Sequence, residues 1–400
     1  MTTKKPLNAR SLLLIIGILL IATTIRAPIT GIAPVLDMVR ASFSLGTAEA
    51  GILTTLPLLA FALTSPFSVL FARKYGLERS LFGALLLITS GIITRSLGNV
   101  WCLFAGTALI GVGIAFANVL LPSLLKRDFP DRIASLTGAY SVTAGAAAAF
   151  ASATAIPIAA MFINGWNWAL ASFALFPVIA MIVWLPQLSN HTAPSQASTS
   201  SIQNEKIWKS PLAWQVTLFF GLNSLVYYVI VAWLPMILAE SGYSPAVAGS
   251  LHGVSQFATA IPGLIFGAVL SRFRDQRIIA LSLAAMTAIS LFGLLLLPAW
   301  NVLWVALFGF GAGATFILAL AFIALRSANA HQAAALSGMA QCVGYLIAAA
   351  APPLAGLIHD KSQGWALTLI ICIILCGAMA FLGFQAGKQR LIFNQREATH

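Results

Sequence analysis

Two arginines and one histidine lie inside otherwise apolar stretches of the sequence, where a charged or titrating side chain needs a reason. Arg26 lies 15 residues past Ser11 in the first stretch, or about 22 Å along a helix. A guanidinium at that depth in a bilayer costs at least about 2.5–3.5 kcal/mol. No Asp or Glu lies centrally in any apolar stretch. We therefore expect Arg26 to bind backbone carbonyls, water, tyrosines, or a solute that is anionic or rich in hydrogen-bond acceptors.

Each of these three residues has a functional and a structural interpretation. We predict that Arg26 binds solute beside the helix break made by Pro28 and Gly31, and the alternative is a structural arginine bonded to carbonyls that Pro28 frees. Arg95, near the end of the third stretch, is predicted to serve structure or a gate rather than to contact solute. His252 is the mid-span group that titrates near neutrality. It is either a proton carrier or a hydrogen-bonded helix contact.

Several polar side chains are spaced four residues apart and therefore share one face of a helix. They form the pairs Asn223 and Tyr227, His252 and Gln256, and Gln341 and Tyr345, and Asn118 and Tyr140 lie in two further stretches. Such side chains either line a solute site or join helices by hydrogen bonds worth about 0.6 kcal/mol or more each. We predict a substrate-binding set that consists of Arg26, Asn118, Tyr140, Asn223, Tyr227, Gln256 and Gln341.

The sequence lacks the motifs of an enzyme or of an ATP-driven pump. It contains no G-x-x-x-x-G-K-[ST] phosphate loop, no H-E-x-x-H metal motif, no G-x-S-x-G nucleophile motif and no clustered pair of acids. We therefore predict that the protein is not an enzyme and that it has no catalytic residue, no cofactor and no metal.

The amino-acid composition indicates which secondary-structure elements position these residues. Of the 400 residues, 60% are hydrophobic and 8% are charged, whereas a soluble domain carries roughly 25% charged residues. This excludes a soluble enzyme, a disordered chain and a typical nucleic-acid-binding protein. A bilayer core about 30 Å thick needs about 20 apolar residues per helix. Twelve stretches qualify, and they predict an all-α membrane protein with spans at 11–36, 48–71, 80–97, 101–125, 134–162, 167–186, 212–238, 246–270, 278–298, 301–325, 333–358 and 365–386.

One polar segment divides the spans into two groups of six. Residues 187–210 are rich in Ser, Thr, Gln and Asn and are typical of a flexible linker. We predict an N-terminal six-helix half at 1–186, a cytoplasmic linker at 187–210 and a C-terminal six-helix half at 211–400. With both termini cytoplasmic, 18 of the 22 Lys and Arg residues fall on the inside and only Arg40 and Lys361 fall on outside links. This bias predicts that orientation and explains most of the net charge of +12.

The two halves repeat one pattern. Residues 50–82 align without a gap on 248–280, an offset of 198, and Arg79 falls on Arg277. Gly165-Trp166 falls on Gly364-Trp365 at an offset of 199. An offset of about 201 places Tyr227 opposite Arg26. Parallel duplication of a helical unit is how one large group of secondary transporters is built, with the solute site near the bilayer midplane between the two units.

Particular segments resemble a known family. VLFARKYGLERS (69–80) is similar to the signature loop of the major facilitator superfamily: Ala72, Lys74 and Gly76 fit, whereas Arg73 replaces the usual Asp. Four longer segments resemble sequences of the cyanate/2-nitroimidazole (CynX/NimT) branch of that superfamily. They are IATTIRAPITGIAPVLD (21–37), AGILTTLPLLAFALTSP (50–66), NVLLPSLLKRDFP (118–130) and SPLAWQVTLFFGLNSLVYYVIVAWLP (210–235).

The resemblance implies a fold and several roles. The major facilitator fold has two pseudo-symmetric six-helix halves, and its spans 1, 4, 7 and 10 line the cavity, which favours Arg26, Asn118, Asn223 and Tyr227 as solute contacts. The signature loop implies gating roles for Arg79 and Arg277, and we add Arg95 to that group. The branch implies transport of a small solute across a bacterial inner membrane.

Two transport hypotheses follow. The first is secondary active transport, by alternating access, of a small anion that contacts Arg26, either cyanate-like or a small organic acid. The alternative is proton-coupled efflux of a small neutral heterocycle or drug such as 2-nitroimidazole, with His252 as the proton site. The predicted partners are the solute, protons as coupling ion and the lipid bilayer, with no nucleic acid, and we expect a monomer.

Overall fold

The protein is a bundle of long α-helices. The computed structural model describes residues 9–189, 207–270, 272–273 and 275–392, and this part of the chain contains helices and turns but no strand. Ten of the predicted spans correspond to one long helix each, and the sixth and eighth correspond to two helices each. The helices are Ala9–Thr30 (α1), Thr47–Tyr75 (α2), Leu77–Arg95 (α3), Val100–Asp128 (α4), Ile133–Ala159 (α5), Gly165–Ser172 and Leu175–Trp184 (α6a and α6b), Pro211–Glu240 (α7), Pro245–Ala258 and Pro262–Leu270 (α8a and α8b), Arg277–Leu296 (α9), Asn301–Leu325 (α10), Ala330–Ser362 (α11) and Ala366–Ala386 (α12).

These helices form because each apolar run is long enough to satisfy its own backbone hydrogen bonds inside a bilayer. Eleven helical segments of the described chain are long and apolar enough to cross a membrane. The eighth predicted span, 246–270, is instead broken after Ala258, and α8b begins at Pro262. The break has a simple cause: proline has no N–H to donate, and its ring disfavours a helical residue before it.

The first predicted span lies within the apolar segment Arg10–Phe43 but is not one continuous helix. The sequence predicted a span at 11–36, but α1 stops at Thr30, and the chain continues through a 3₁₀ turn at Ala33–Val35 into a short helix at Leu36–Phe43. A side chain at Gly31 would collide with the ring of Phe173. The close contact between the end of α1 and the residues around α6a therefore needs a glycine at this point.

We call the end of the bundle where α1 begins and α12 ends the terminal face. At this face each half has an arginine that is hydrogen-bonded at an equivalent position. In the first half, Arg127 at the end of α4 pairs with the buried Glu78 of α3 at 2.8 Å. In the second half, Arg326 at the end of α10 donates to the Gln276 side chain and, at 2.7 Å, to the Ala386 carbonyl. Glu78 and Gln276 are 198 residues apart, and Arg127 and Arg326 are 199 apart. The sequence repeat therefore corresponds to a repeated contact.

The two halves meet tightly at the opposite end, which we call the far face. A side chain at Gly51 of α2 would come within 2.7 Å of Pro353 of α11, and one at Gly253 of α8a would come within 2.7 Å of the Ala149 carbonyl of α5. Thr55 of α2 donates to the Ala349 carbonyl of α11 at 2.6 Å. We call these α2–α11 and α5–α8a contacts the far-face seam, and in this structure the seam is closed.

The predicted division into halves stays a prediction at its boundary. Residues 190–206 of the predicted linker lie outside the described residues. At its edges, residues Leu185–Ser189 form a 3₁₀ helix, and the Ser210 hydroxyl accepts from the Ala213 amide to cap α7.

Candidate functional site

Arg26 bridges the two halves. It lies on α1 near the helix end, half-buried, and its two terminal nitrogens point at the other half. Nη1 donates to the Thr259 hydroxyl at 2.7 Å, and Nη2 donates to the Tyr227 hydroxyl at 3.4 Å. Thr259 is the residue that follows α8a at the helix break, so the break places its hydroxyl in this position. The guanidinium is therefore held by neutral hydroxyl groups.

A row of hydrogen bonds continues from Arg26 into the far-face seam. The Tyr227 hydroxyl donates to Gln256 Oε1 at 3.0 Å, and the Gln256 amide nitrogen lies 3.2 Å from His252 Nε2. His252 Nδ1 lies 3.0 Å from the hydroxyl of Ser152 on α5. His252 and Gln256 are fully buried. The row therefore joins the solute-site candidate on α1 and α7 to the contact between α5 and α8a.

Several tyrosines lie within electrostatic range of the guanidinium. Tyr140, Tyr228 and Tyr345 all interact electrostatically with Arg26. The Tyr345 ring lies 5.2 Å from that of Phe61 and 5.3 Å from that of Phe220, both edge to face. Rings at these centroid separations are in favourable contact. Arg26 is thus a cation with phenol groups nearby, and one of these, Tyr345, contacts the apolar rings of Phe61 and Phe220.

No carboxylate balances this cation among the described residues. Their ion pairs are all elsewhere, at helix ends, and involve the acids Asp37, Glu78, Asp128, Glu240, Asp275 and Asp360. An uncompensated guanidinium next to hydroxyl oxygens is chemically able to bind a group that offers acceptor oxygens or negative charge. Within the described residues no cluster of His, Cys, Asp and Glu that could hold a metal is found.

The other predicted site residues separate into two groups. Tyr140, Tyr227 and Gln256 lie at Arg26 or on its hydrogen-bonded row. Asn223 is buried and donates to the Ala312 carbonyl of α10 at 3.3 Å, which joins two helices of one half. Gln341 donates to Ser337 of its own helix at 2.7 Å, and Asn118 lies half-buried on α4.

Arg95 has the structural role that the sequence left open for Arg26. Its guanidinium is buried and donates from Nη1 to the Pro28 carbonyl at 2.7 Å. The last carbonyls of a helix lack partners within the helix, and Arg95 supplies one near the end of α1. Arg95 thereby fixes the end of the helix that carries Arg26, and its predicted gating role stays a prediction.

The two remaining gating candidates occupy equivalent positions with different surroundings. Arg79 is exposed at the terminal face. Arg277 hydrogen-bonds both oxygens of Asp275, at 2.6–3.1 Å, and this lowers the pKa of the Asp275 carboxyl below its usual value. The contact between Arg277 and Asp275 lies within the second half, so gating by Arg79 and Arg277 also stays a prediction.

Four residues of the site were missed by the sequence interpretation: Thr259, Ser152, Tyr228 and Tyr345 do not belong to the predicted set. Tyr345 shares a helix face with Gln341, which is a signal that the spacing contains. Thr259 lies three residues before Pro262, and a helix break at that proline would have placed it between the halves. A pocket of about 290 Å³ lies apart from this site, lined by residues of 207–208 and 334–339 near the terminal face.

Comparisons with known proteins agree with this architecture. The model of the Major Facilitator Superfamily matches residues 12–349. The chain is 54% identical over 395 residues to the 2-nitroimidazole transporter of Escherichia coli (strain K12), covering 98% of the chain and 100% of that protein. It is 27% identical over 354 residues to the cyanate transport protein CynX of the same organism, covering 88% and 91%. The crystal structure of a D-xylose-proton symporter superposes with a TM-score of 0.77 at 13% identity, covering 94% of the chain and 98% of that structure.

Proposed function

The chain belongs to the Major Facilitator Superfamily, and we propose that its solute is a small planar nitroheterocycle of the 2-nitroimidazole type, held between the halves with its nitro oxygens on Arg26. The family membership makes the protein a secondary transporter of the membrane and not an enzyme. Alternating access in such a fold exposes one central site to each side of the membrane in turn.

The Arg26 contacts carry the proposal. Its two terminal nitrogens donate to two separate hydroxyl oxygens across the site, and this pattern supports a solute that brings two acceptor oxygens of its own. A nitro group offers two acceptor oxygens in one plane, and a guanidinium presents its donors in a planar fork. The relative that is 54% identical is named a 2-nitroimidazole transporter.

The aromatic rings support the heterocycle. Flat heteroaromatic solutes pack against phenyl and phenol rings, and offset or edge-to-face contacts between such rings contribute about 0.5–1.5 kcal/mol each beyond burial. Phe61 and Phe220 each contact the ring of Tyr345, which interacts electrostatically with Arg26. A sugar-like solute would need many more hydrogen-bonding side chains than these surfaces offer.

A second candidate solute is a small anion, cyanate-like or an organic acid. The observation that favours it is the uncompensated charge of Arg26 among neutral partners. A more distant relative is named a cyanate transport protein. A carboxylate would bind the same donors as a nitro group and would add a full negative charge.

The remaining solute contacts and the membrane orientation belong to the same proposal. Tyr140, Tyr227 and Gln256 would form the polar side of the site, and Asn118 and Gln341 would line its approach. The protein would lie in the inner membrane of a bacterial cell, with the terminal face and both chain termini on the cytoplasmic side. In this orientation 18 of the 22 basic residues lie on the cytoplasmic side. The transporter would act as a monomer.

The proposal is tested by solute exchange in proteoliposomes. Vesicles loaded with unlabelled 2-nitroimidazole should take up radiolabelled 2-nitroimidazole faster with the protein than without it. Absence of protein-dependent exchange at millimolar solute would overturn the proposal.

A thermal-shift series separates the two candidate solutes. Neutral 2-nitroimidazole should raise the melting temperature of the purified protein more than cyanate or benzoate at the same concentration. Stabilisation by the anions alone would reject the nitroheterocycle and favour the second candidate.

A further inference from the structure

The hydrogen bonds that lead away from Arg26 all run in one direction. A guanidinium only donates, so the Tyr227 oxygen accepts from Arg26 and the Tyr227 hydrogen must go elsewhere. It goes to Gln256 Oε1 at 3.0 Å, which turns the Gln256 NH₂ group toward His252 Nε2 at 3.2 Å. His252 Nε2 must therefore accept, and its Nδ1 carries the hydrogen that faces the Ser152 hydroxyl at 3.0 Å. Each donor in the row fixes the next one.

His252 is neutral in this arrangement, and few charged or titrating groups face it. The ring is fully buried. Helix α1 contributes Arg26 through the row, α7 contributes Tyr227 and the backbone of Val231, and α5 contributes Ser152, with Tyr140 the titrating residue of that helix. Helix α10 contains no titrating side chain. No carboxylate reaches the ring from any of these helices.

A proton on His252 would reverse part of the row. Nε2 would then donate, and the Gln256 amide would have to rotate so that Oε1 faces the ring. The Gln256 NH₂ group would then face the Tyr227 oxygen, which can accept from both Gln256 and Arg26. The Tyr227 hydrogen would lose its acceptor and would turn into the solute site. Protonation of His252 would thus free the Tyr227 hydroxyl hydrogen from Gln256, and this hydrogen could then be donated to an acceptor oxygen of the solute.

We propose that Gln256 is a positioning residue that transmits the protonation of His252 to the Tyr227 hydroxyl, so that a proton and the solute bind together and are transported in the same direction. This rests on the proposed function, since it takes the solute to be an acceptor-bearing molecule on Arg26. Coupling of two ligands is reciprocal: if the proton tightens solute binding, the solute tightens proton binding to the same degree. Symport follows from that sign, whereas antiport needs the opposite one.

The far-face seam gives the proton its route. The Ser152 hydroxyl lies on α5 and His252 lies on α8a, so separation of these helices removes the Nδ1 partner of the ring and admits water from the far face. Closing the seam returns the ring to Ser152 and to the neutral row. His252 therefore exchanges its proton with water only when the two halves separate at the far face.

The direct test is accumulation driven by a pH gradient in proteoliposomes. With the lumen at pH 7.5, lowering the external pH from 7.5 to 5.5 should make wild-type vesicles accumulate 2-nitroimidazole above its external concentration. Gln256→Leu should lose the accumulation, and its exchange rate at equal pH should no longer rise between pH 7.5 and pH 5.5 as the wild-type rate does. Tyr227→Phe should lose the accumulation as well. The matched control Gln385→Leu, on α12 at the terminal face, should accumulate like wild type. Expulsion of solute under this gradient, or full accumulation by Gln256→Leu, would overturn the proposal.

A second test does not need the solute. Nitrogen-15 NMR of histidine-labelled protein at pH 7.5, with the His252 signals assigned by their loss in His252→Gln, should show the hydrogen on Nδ1. In Gln256→Leu the Nε2 shift should move toward that of a non-hydrogen-bonded nitrogen. A hydrogen on Nε2 in the wild type would overturn the direction of the row. If wild-type vesicles exchange no 2-nitroimidazole but the Nδ1 form is found, the proposed solute is wrong and the row stands.

Discussion

A methyl group at Gly253 should prevent the far-face seam from closing. Gly253 lies on α8a against α5, and a Cβ built there would come within 2.7 Å of the Ala149 carbonyl oxygen. Ordinary contact begins at 3.4 Å, so the two helices would have to separate by about 0.7 Å, the difference between these two distances. The obstacle is backbone and cannot turn away as a flexible side chain could.

The size of the effect follows from the cost of overpacking, which is typically about 1–3 kcal/mol. This cost falls on the closed seam only, because the residue has no neighbour across the seam once the halves part. A bias of about 1–3 kcal/mol changes the ratio of the two states by about 5- to 150-fold. The higher helix propensity of alanine, about 0.5–1 kcal/mol, acts on both states and cancels.

Distances between spin labels on the two halves report the change. Labels at Met38 and Lys361, in a background with the four native cysteines replaced by alanine, lie on exposed far-face positions of opposite halves. Electron–electron double resonance should show a population with a longer distance between the two labels in Gly253→Ala than in the parent protein. Gly83→Ala is the control, because nothing lies within 4 Å of a Cβ at that position. If Gly253→Ala gives the distribution of the control, the seam does not close by the contacts described.

Two further predictions concern stability and the boundary of the site. Glu78→Gln should lower the melting temperature of the detergent-solubilised protein, with a loss of about 2 kcal/mol of stability, because Arg127 loses its buried carboxylate partner. Gln276→Glu should raise the melting temperature, because it gives Arg326 a counter-charge. A lower melting temperature in both variants would refute the equivalence of the two contacts. Asn223→Leu should cost about 0.6 kcal/mol of stability with solute affinity unchanged, since its amide is bonded to the Ala312 carbonyl; a tenfold weaker affinity in titration calorimetry would place Asn223 in the site after all.

Much of the fold could be predicted from apolar runs because a helix in a bilayer must satisfy its own backbone groups. That rule gives the existence and number of spans but says nothing about interruptions inside one. The span predicted at 246–270 is therefore two helices, α8a and α8b. Pro262 was visible in the sequence, yet prolines also lie inside the unbroken helices α4 and α5, at Pro122 and Pro157. The packing around each proline decides which outcome occurs.

The site was predictable where the internal repeat pairs residues across the halves. The offset of about 201 placed Tyr227 opposite Arg26, and the structure puts their polar atoms 3.4 Å apart. Spacing alone could not tell which arginine serves the end of α1, since that depends on how α3 is rotated against it; Arg95 makes this contact. Thr259 was missed for a related reason, because its position depends on the helix break.

Titration of 2-nitroimidazole into the purified protein tests the central claim about Arg26 most directly. Calorimetry should show binding that Arg26→Gln weakens about 10- to 100-fold, since hydrogen bonds to a charged group contribute about 1.5–3 kcal/mol. Arg26→Lys keeps the charge without the planar fork and should fall between the two, and equal melting temperatures would show that each variant is folded. Unchanged affinity in a folded Arg26→Gln variant would contradict the account.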